Sequence, residues 1–196
     1  TPEWLNTIDT TGPTSLVSPL APTQFAPNFT VQWSGADEGS GTRARRALES
    51  YCRALVRRSI PYVMVEENHL DVLDGLRIVF MPRALVTDPK LEQVLEKFVR
   101  GGGTLVCESE CGAFSPEGLY REPGDRFMAR LLGRSEVGRR ALSNSFIHLK
   151  FGDKALRVDC TQWLTPLTAG KGKALAAHGD GDVVADVPVG KGRVIF

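Results

Sequence analysis

Residues 99–114 read VRGGGTLVCESECGAF and bring together three kinds of side-chain and backbone chemistry. The glycine run could cradle a phosphate, Cys107 and Cys111 could act as nucleophiles, and Glu108, Ser109 and Glu110 could line a binding site. A phosphate loop follows a strand and opens a helix, so that the amides at the helix N-terminus face the anion. Here the order is reversed: the glycines follow a helical pattern over 89–100 and precede an apolar strand over 104–108. Gly101 is therefore read as a helix C-cap and its neighbours as a tight helix-to-strand turn, which excludes the phosphate loop on topology.

A nucleophilic cysteine on a strand-to-helix elbow needs small flanking residues for a strained turn, and class I glutamine amidotransferases use G-x-C-x-G there. Around Cys111 those positions are Ser109 and Ala113, and the following FSPEGLYREPGD is turn-rich instead of helical. The partner base of those enzymes, a downstream His-x-Glu, is absent: His148 is followed by Leu149 and Lys150, and His178 by Gly179 and Asp180. A stand-alone enzyme using Cys111 or Cys107 stays open as the alternative. Cys52, Cys107, Cys111 and Cys160 are too scattered for a disulfide scaffold, and a cysteine ending an apolar strand usually serves as a small hydrophobe. His69 lacks an HxH or HxxxH companion, so it is read as a solvated or capping residue, and no metal or cofactor is expected.

Open α/β sheets place ligands at the carboxyl edge of their strands, which makes Glu108, Ser109, Glu110, Cys111 and Glu66 the expected rim of a pocket. Two carboxylates spaced i, i+2 could serve glycoside hydrolysis at ~5–10 Å. Nothing in the sequence supplies the enclosed apolar pocket that would raise one of their pKa values, so no catalytic residue is assigned. Trp163, Trp33 and Tyr120 could instead stack on a sugar ring in a binding module without catalysis.

The elements that would position these residues follow from periodicity. Ala44, Ala47, Leu48, Tyr51, Cys52, Leu55 and Val56 recur at helical spacing over 42–58, with arginines on the opposite side as a solvated face. PYVMV at 61–65 and LRIVFMP at 76–82 are apolar on both faces, as strands buried in a parallel sheet are. A helical turn joins them. Asp88 and Pro89 supply an N-cap and first turn, and Leu91, Val94, Leu95, Phe98 and Val99 predict a helix over 89–100. A strand over 29–34 (FTVQWS) precedes all of these, and residues 1–28, with five prolines, read as an extended connector. Residues 135–178 carry strand patterns that suggest an inserted antiparallel layer. The expected architecture is an α/β open sheet of the flavodoxin-like or glutamine amidotransferase-like kind over 29–196. It is mostly parallel, with helices on both faces and antiparallel strands toward the C-terminus.

The chain of 196 residues is long enough for one good core but too short for a (β/α)8 barrel, which takes ~250 residues. A net charge of +1 gives no field to hold nucleic acid, and no apolar run approaches the length of a membrane span. The first residue is not Met, and GKGRVIF closes the sequence on an apolar strand, so it reads as an excerpt of a longer polypeptide of unknown compartment. The sequon Asn28-Phe29-Thr30 is taken as a chance occurrence.

An ordered series of segments carries a family likeness: YCRALVRRSIPYV, then LRIVFMP, FVRGGGTLVCES, FMARLLG at 127–133, and VVADVPVGKGRVIF at the end. The series resembles the middle, or trimerisation, domain of family 42 β-galactosidases, within the glutamine amidotransferase-like superfamily. That resemblance implies a non-catalytic accessory domain of a β-galactosidase-like glycoside hydrolase. Its catalytic glutamates would lie on a barrel outside this chain. Its partners would be that barrel, neighbouring subunits and carbohydrate, without nucleic acid or membrane. Residues 1–28 would then be the tail of a connector from the barrel.

Overall fold

The computed structural model describes residues 14–17, 33–36, 41–66, 69–141, 146–160, 163–179 and 181–196. Most of the expected connector and the start of the 29–34 strand lie outside these residues. Strand β1 (Thr14–Val17) pairs antiparallel with β2 (Trp33–Ala36), so the described part of the proline-rich segment is one arm of a two-stranded ribbon.

Helix α1 (Gly41–Arg57) half-buries Ala47, Leu48, Tyr51, Cys52 and Leu55, as its periodicity requires, and leaves Val56 exposed. Residues 61–65 join no ladder and expose Tyr62, Val63 and Met64, which corrects the expected buried strand. A 3-10 turn over Leu70–Gly75 leads into β3 (Ile78–Met81), and α2 (Pro89–Gly101) follows. Asp88 caps α2 by accepting from the Leu91 amide at 2.6 Å. The helix runs one residue further than its pattern suggests, so the C-cap is Gly102, at φ 126°, and Gly101 is the last helical residue.

Strand β4 (Thr104–Cys107) comes next, then the short helix α3 (Phe127–Leu132) and β5 (Arg140–Ala141). The hairpin β6 (Phe146–Phe151) with β7 (Lys154–Asp159), then β8 (Trp163–Leu164) paired with β5, supply the antiparallel additions expected between 135 and 178. Strands β9 (Lys173–His178), β10 (Gly181–Val189) and β11 (Gly192–Ile195) complete the chain.

The main sheet has the order β3-β4-β11-β10-β9. The pairs β3/β4 and β4/β11 are parallel, whereas β11/β10 and β10/β9 are antiparallel, so the sheet is mixed, with its antiparallel pairs formed by the C-terminal strands as expected. The register sets Val79, Leu105 and Val194 side by side on one face, because side chains alternate along each strand. That face is the core: Leu105 and Val194 are fully buried, as are Leu95 and Val99 of α2 and Phe127 of α3.

The opposite face carries Ile78, Phe80, Val106 and Ile195. It is covered less: Ile78 is 49% and Phe80 38% exposed, although the Tyr51 ring of α1 lies 5.3 Å from that of Phe80. The expectation of two buried faces for this strand therefore holds for one.

The glycine run has a packing role. A Cβ on Gly192 would sit 2.2 Å from the Gly103 carbonyl oxygen and 2.3 Å from that of Val99. The β10–β11 turn thus presses against the C-terminus of α2, where the Lys191 amide donates to the Arg100 carbonyl at 3.1 Å. No described helix is long and apolar enough to cross a membrane.

Candidate functional site

Strands β3, β4 and β11 all point their carboxyl ends at a cavity of about 380 Å³. Val106, Ile195 and Phe196 form its floor, Tyr51 of α1 one wall, and Val158, Asp159, Cys160 and Trp163 from the antiparallel additions another. Arg83, Glu108, Ser109 and Glu110 come from the loops that leave β3 and β4. Three of the five expected rim residues are brought together here. Cys111 is buried beneath the loop, and Glu66 stands apart, with its side chain 80% exposed beside His69, because residues 61–65 do not form the strand that would have ended at the cavity.

The backbone of this rim is strained. Ser59, Arg83 and Glu110 are the described non-glycine residues with positive φ, and two of them, Arg83 at 46° and Glu110 at 64°, line the cavity. Such residues persist where surrounding contacts over-determine them, and they gather at ligand-binding sites. Glu110 is held from both ends: its amide donates to Glu136 Oε1 at 2.8 Å, and its carboxylate accepts two hydrogen bonds from Arg139, each 2.9 Å. This bidentate pair raises the pKa of Arg139. The Arg139 guanidinium lies 4.1 Å from the centre of the Trp163 ring, and that of Arg83 lies 6.0 Å from it. The Trp163 ring is thus engaged by the Arg139 guanidinium, with that of Arg83 at the edge of cation–π range. Arg83 Nε is sealed from solvent and has no hydrogen-bond partner among the described residues.

Tyr51 faces Glu108, and its phenol is pushed well above the usual range, chiefly by burial and then by the Glu108 charge and hydrogen bond. Cys107 is pushed well above the ordinary thiol value as well, first by burial and then by its contact with Cys111. Its Sγ lies 3.9 Å from Met128 Sδ in the core. A nucleophilic cysteine needs the opposite shift and a base beside it, and no histidine lines this cavity. Cys107 and Cys111 are thus core residues.

Sequence reasoning missed the polar network behind the rim. Glu136, buried, accepts from a guanidinium nitrogen of Arg126, which is itself buried and also donates to the Tyr120 hydroxyl at 2.9 Å. Tyr120 is thereby committed to the network, its ring edge-on to Phe114. Glu92 of α2 accepts from Arg121 at 2.6 Å, Arg130 at 3.0 Å and the Thr87 hydroxyl at 2.8 Å. Arg134, also buried, bonds Asp182 at 2.6 Å and the Thr168 carbonyl at 2.7 Å. The one signal in the sequence is the series Arg121, Arg126, Arg130, Arg134, whose acidic partners lie up to 48 residues away. Among the described residues no group of three His, Cys, Asp or Glu could hold a metal.

The β-galactosidase trimerisation domain profile matches residues 28–196, from the edge of the expected connector to the last residue. The chain belongs to that family. Among solved structures it is similar to the β-galactosidase from Bacillus circulans sp. alkalophilus, with 18% identity and TM-score 0.68 over 82% of this chain and 25% of that one. A catalytic mutant of the GH42 β-galactosidase Gan42B from G. stearothermophilus gives 16% identity and TM-score 0.67 over 82% of this chain and 24% of that one. A cytoplasmic protein from Salmonella typhimurium LT2 aligns over 94% of this chain and 82% of its own, at 11% identity and TM-score 0.53. The chain thus spans about a quarter of the length of the β-galactosidases it matches. Comparison with curated proteins finds no match.

Proposed function

We propose that this trimerisation-family domain is a non-catalytic assembly module of a β-galactosidase-like glycoside hydrolase, with the catalytic barrel in other residues of the same polypeptide. The observation that carries the reading is the family match across 28–196, joined to a cavity whose carboxylates are unsuited to hydrolysis. A retaining or inverting glycosidase needs one carboxyl kept protonated and one free to attack or to activate water. Glu110 is neutralised by a two-pronged pair with Arg139, and Asp159, the third carboxylate at the cavity, is paired with Arg157 at 3.3 Å, which leaves Glu108 without a partner for that chemistry. The module then contributes surface. Its partners are its own barrel and neighbouring subunits, with residues 1–28 as the link and 29–196 as the folded unit. The half-covered face of β3 and the exposed Tyr62, Val63 and Met64 offer apolar area for such contacts.

The test compares the parent protein with a form lacking residues 28–196, by sedimentation velocity and by hydrolysis of a nitrophenyl galactoside. The expected result is a trimer for the parent, loss of the trimer on deletion, and no hydrolysis by the 196-residue chain alone. A deletion form that stays trimeric, or hydrolysis by this chain, overturns the reading.

A further inference from the structure

We propose, resting on the assembly reading above, that the outer ridge of α1, formed by Arg46, Arg53 and Arg57, docks on the acidic turn around Glu66, Asp71 and Asp74 of a second copy of this chain. These arginines stand at i, i+7 and i+11, on the side of the helix away from the half-buried Leu48, Tyr51 and Leu55, and all three are exposed. Arg45, on the flank, is paired with Glu49 at 2.8 Å, and every arginine over 121–139 has a carboxylate partner. Among the described residues the ridge forms no ion pair. It is also built without lysine. A ridge that only faced water would be as well served by lysine, whereas guanidinium is less strongly hydrated and grips carboxylates with two donors. The helix dipole favours a cation at Arg57, in the last turn, but does not extend to Arg46.

Symmetry asks for a second, different surface. A trimer closes through heterologous contacts, in which one patch of each copy meets another patch of the next. The acidic turn answers the ridge in charge and in position. Glu66, Asp71 and Asp74 are exposed, and their described basic neighbour is His69, 4.0 Å from Glu66. The exposed Val72 lies among these carboxylates as the exposed Val56 lies beside the ridge, so each charged patch brings apolar area to the contact. The two patches belong to different layers: α1 covers the Phe80 face through Tyr51, whereas Leu73 of the 3-10 turn is buried with Leu95 and Val99 in the core on the α2 side. Both are thus free to meet a neighbour. The acids at 117–125 match the ridge less well, because Arg121 stands among them.

Sedimentation velocity of the parent protein and its charge variants tests this. Arg53→Glu/Arg57→Glu should weaken the trimer by about a hundredfold or more, because like charges are brought together. Near-UV circular dichroism should not change, since both side chains are exposed. Arg53→Gln/Arg57→Gln, a milder change, should weaken it by about tenfold. Asp71→Arg/Asp74→Arg should disrupt the trimer by itself, and joining it to Arg53→Glu/Arg57→Glu should restore assembly. Raising sodium chloride from about 50 to about 500 mM should loosen the unaltered trimer through screening. A parent that is not trimeric would sink the assembly reading and this contact with it. A trimeric parent whose folded Arg53→Gln/Arg57→Gln form assembles undiminished, or whose combined reversal regains nothing, would overturn the contact alone.

Discussion

Replacing Arg126 by methionine isolates the buried ion pair that holds the cavity loop. Arg126 and Glu136 are both buried, and Glu136 also receives the Glu110 amide at 2.8 Å. Methionine fills much of the arginine volume but leaves the Glu136 carboxylate with that amide as its remaining described donor. Removing one partner of a buried pair costs about 3–5 kcal/mol, because the other charge is left uncompensated. For a chain of this size each kcal/mol lowers Tm by roughly 2–4 °C, so a drop on the order of 10 °C is expected.

Arg126→Met/Glu136→Gln should recover most of the loss, since the glutamine carbonyl still accepts from Glu110 and no buried charge remains. Calorimetric melting of the parent, both single variants and the double variant forms a complete cycle. A single Arg126→Met variant within about 1 kcal/mol of the parent would refute the argument, as would a double variant no more stable than that single one.

Gly192→Ala should cost about 2 kcal/mol or more, since its Cβ would meet two backbone carbonyls and the β10–β11 turn would have to lift from α2; urea denaturation measures it. Asp88→Ala should cost about 1 kcal/mol through loss of the α2 cap, read by the same assay. Burial holds the Cys107 pKa above its unfolded value, so the stability this thiol contributes is complete below that ordinary value. It is lost as pH rises through the folded one. Urea midpoints should therefore fall on the alkaline side of the thiol range, and less so in Cys107→Ala. Iodoacetamide should label Cys107 in the folded chain at neutral pH far more slowly than in urea.

Elements whose signal is local were legible in the sequence. The cap and helical spacing of α2 and the apolar run of β4 stand where their residues predict. Residues 61–65 show the limit of that signal: an apolar pattern states what a strand would bury, whereas pairing needs a neighbour, and here no described strand supplies one. The strand order was not legible for the same reason, because β11 meets β4 across nearly 90 positions. At the cavity, topology pointed to Glu108, Ser109 and Glu110. Tyr51, Arg83 and Trp163 reach the same space from distant elements, and their type alone carries no hint of that meeting. The buried arginines escaped notice because arginine is mostly exposed unless paired, and their partners are remote in sequence.

The placement of β11 has a consequence for how the protein is made. This strand lies between β4 and β10, so the middle of the sheet is filled by residues 192–195. On a ribosome, β3 and β4 emerge more than eighty residues before the strand that must lie beside them, with one edge of β4 open meanwhile. Synthesis at ~5–20 residues per second makes that interval several seconds. Over it, α2 can cover the apolar face of the first two strands but cannot satisfy the open edge, which is where a nascent chain pairs with the wrong neighbour. The slow step of folding is then set by translation of the C-terminal hairpin, and pausing within residues 110–190 would prolong the period of greatest exposure to aggregation.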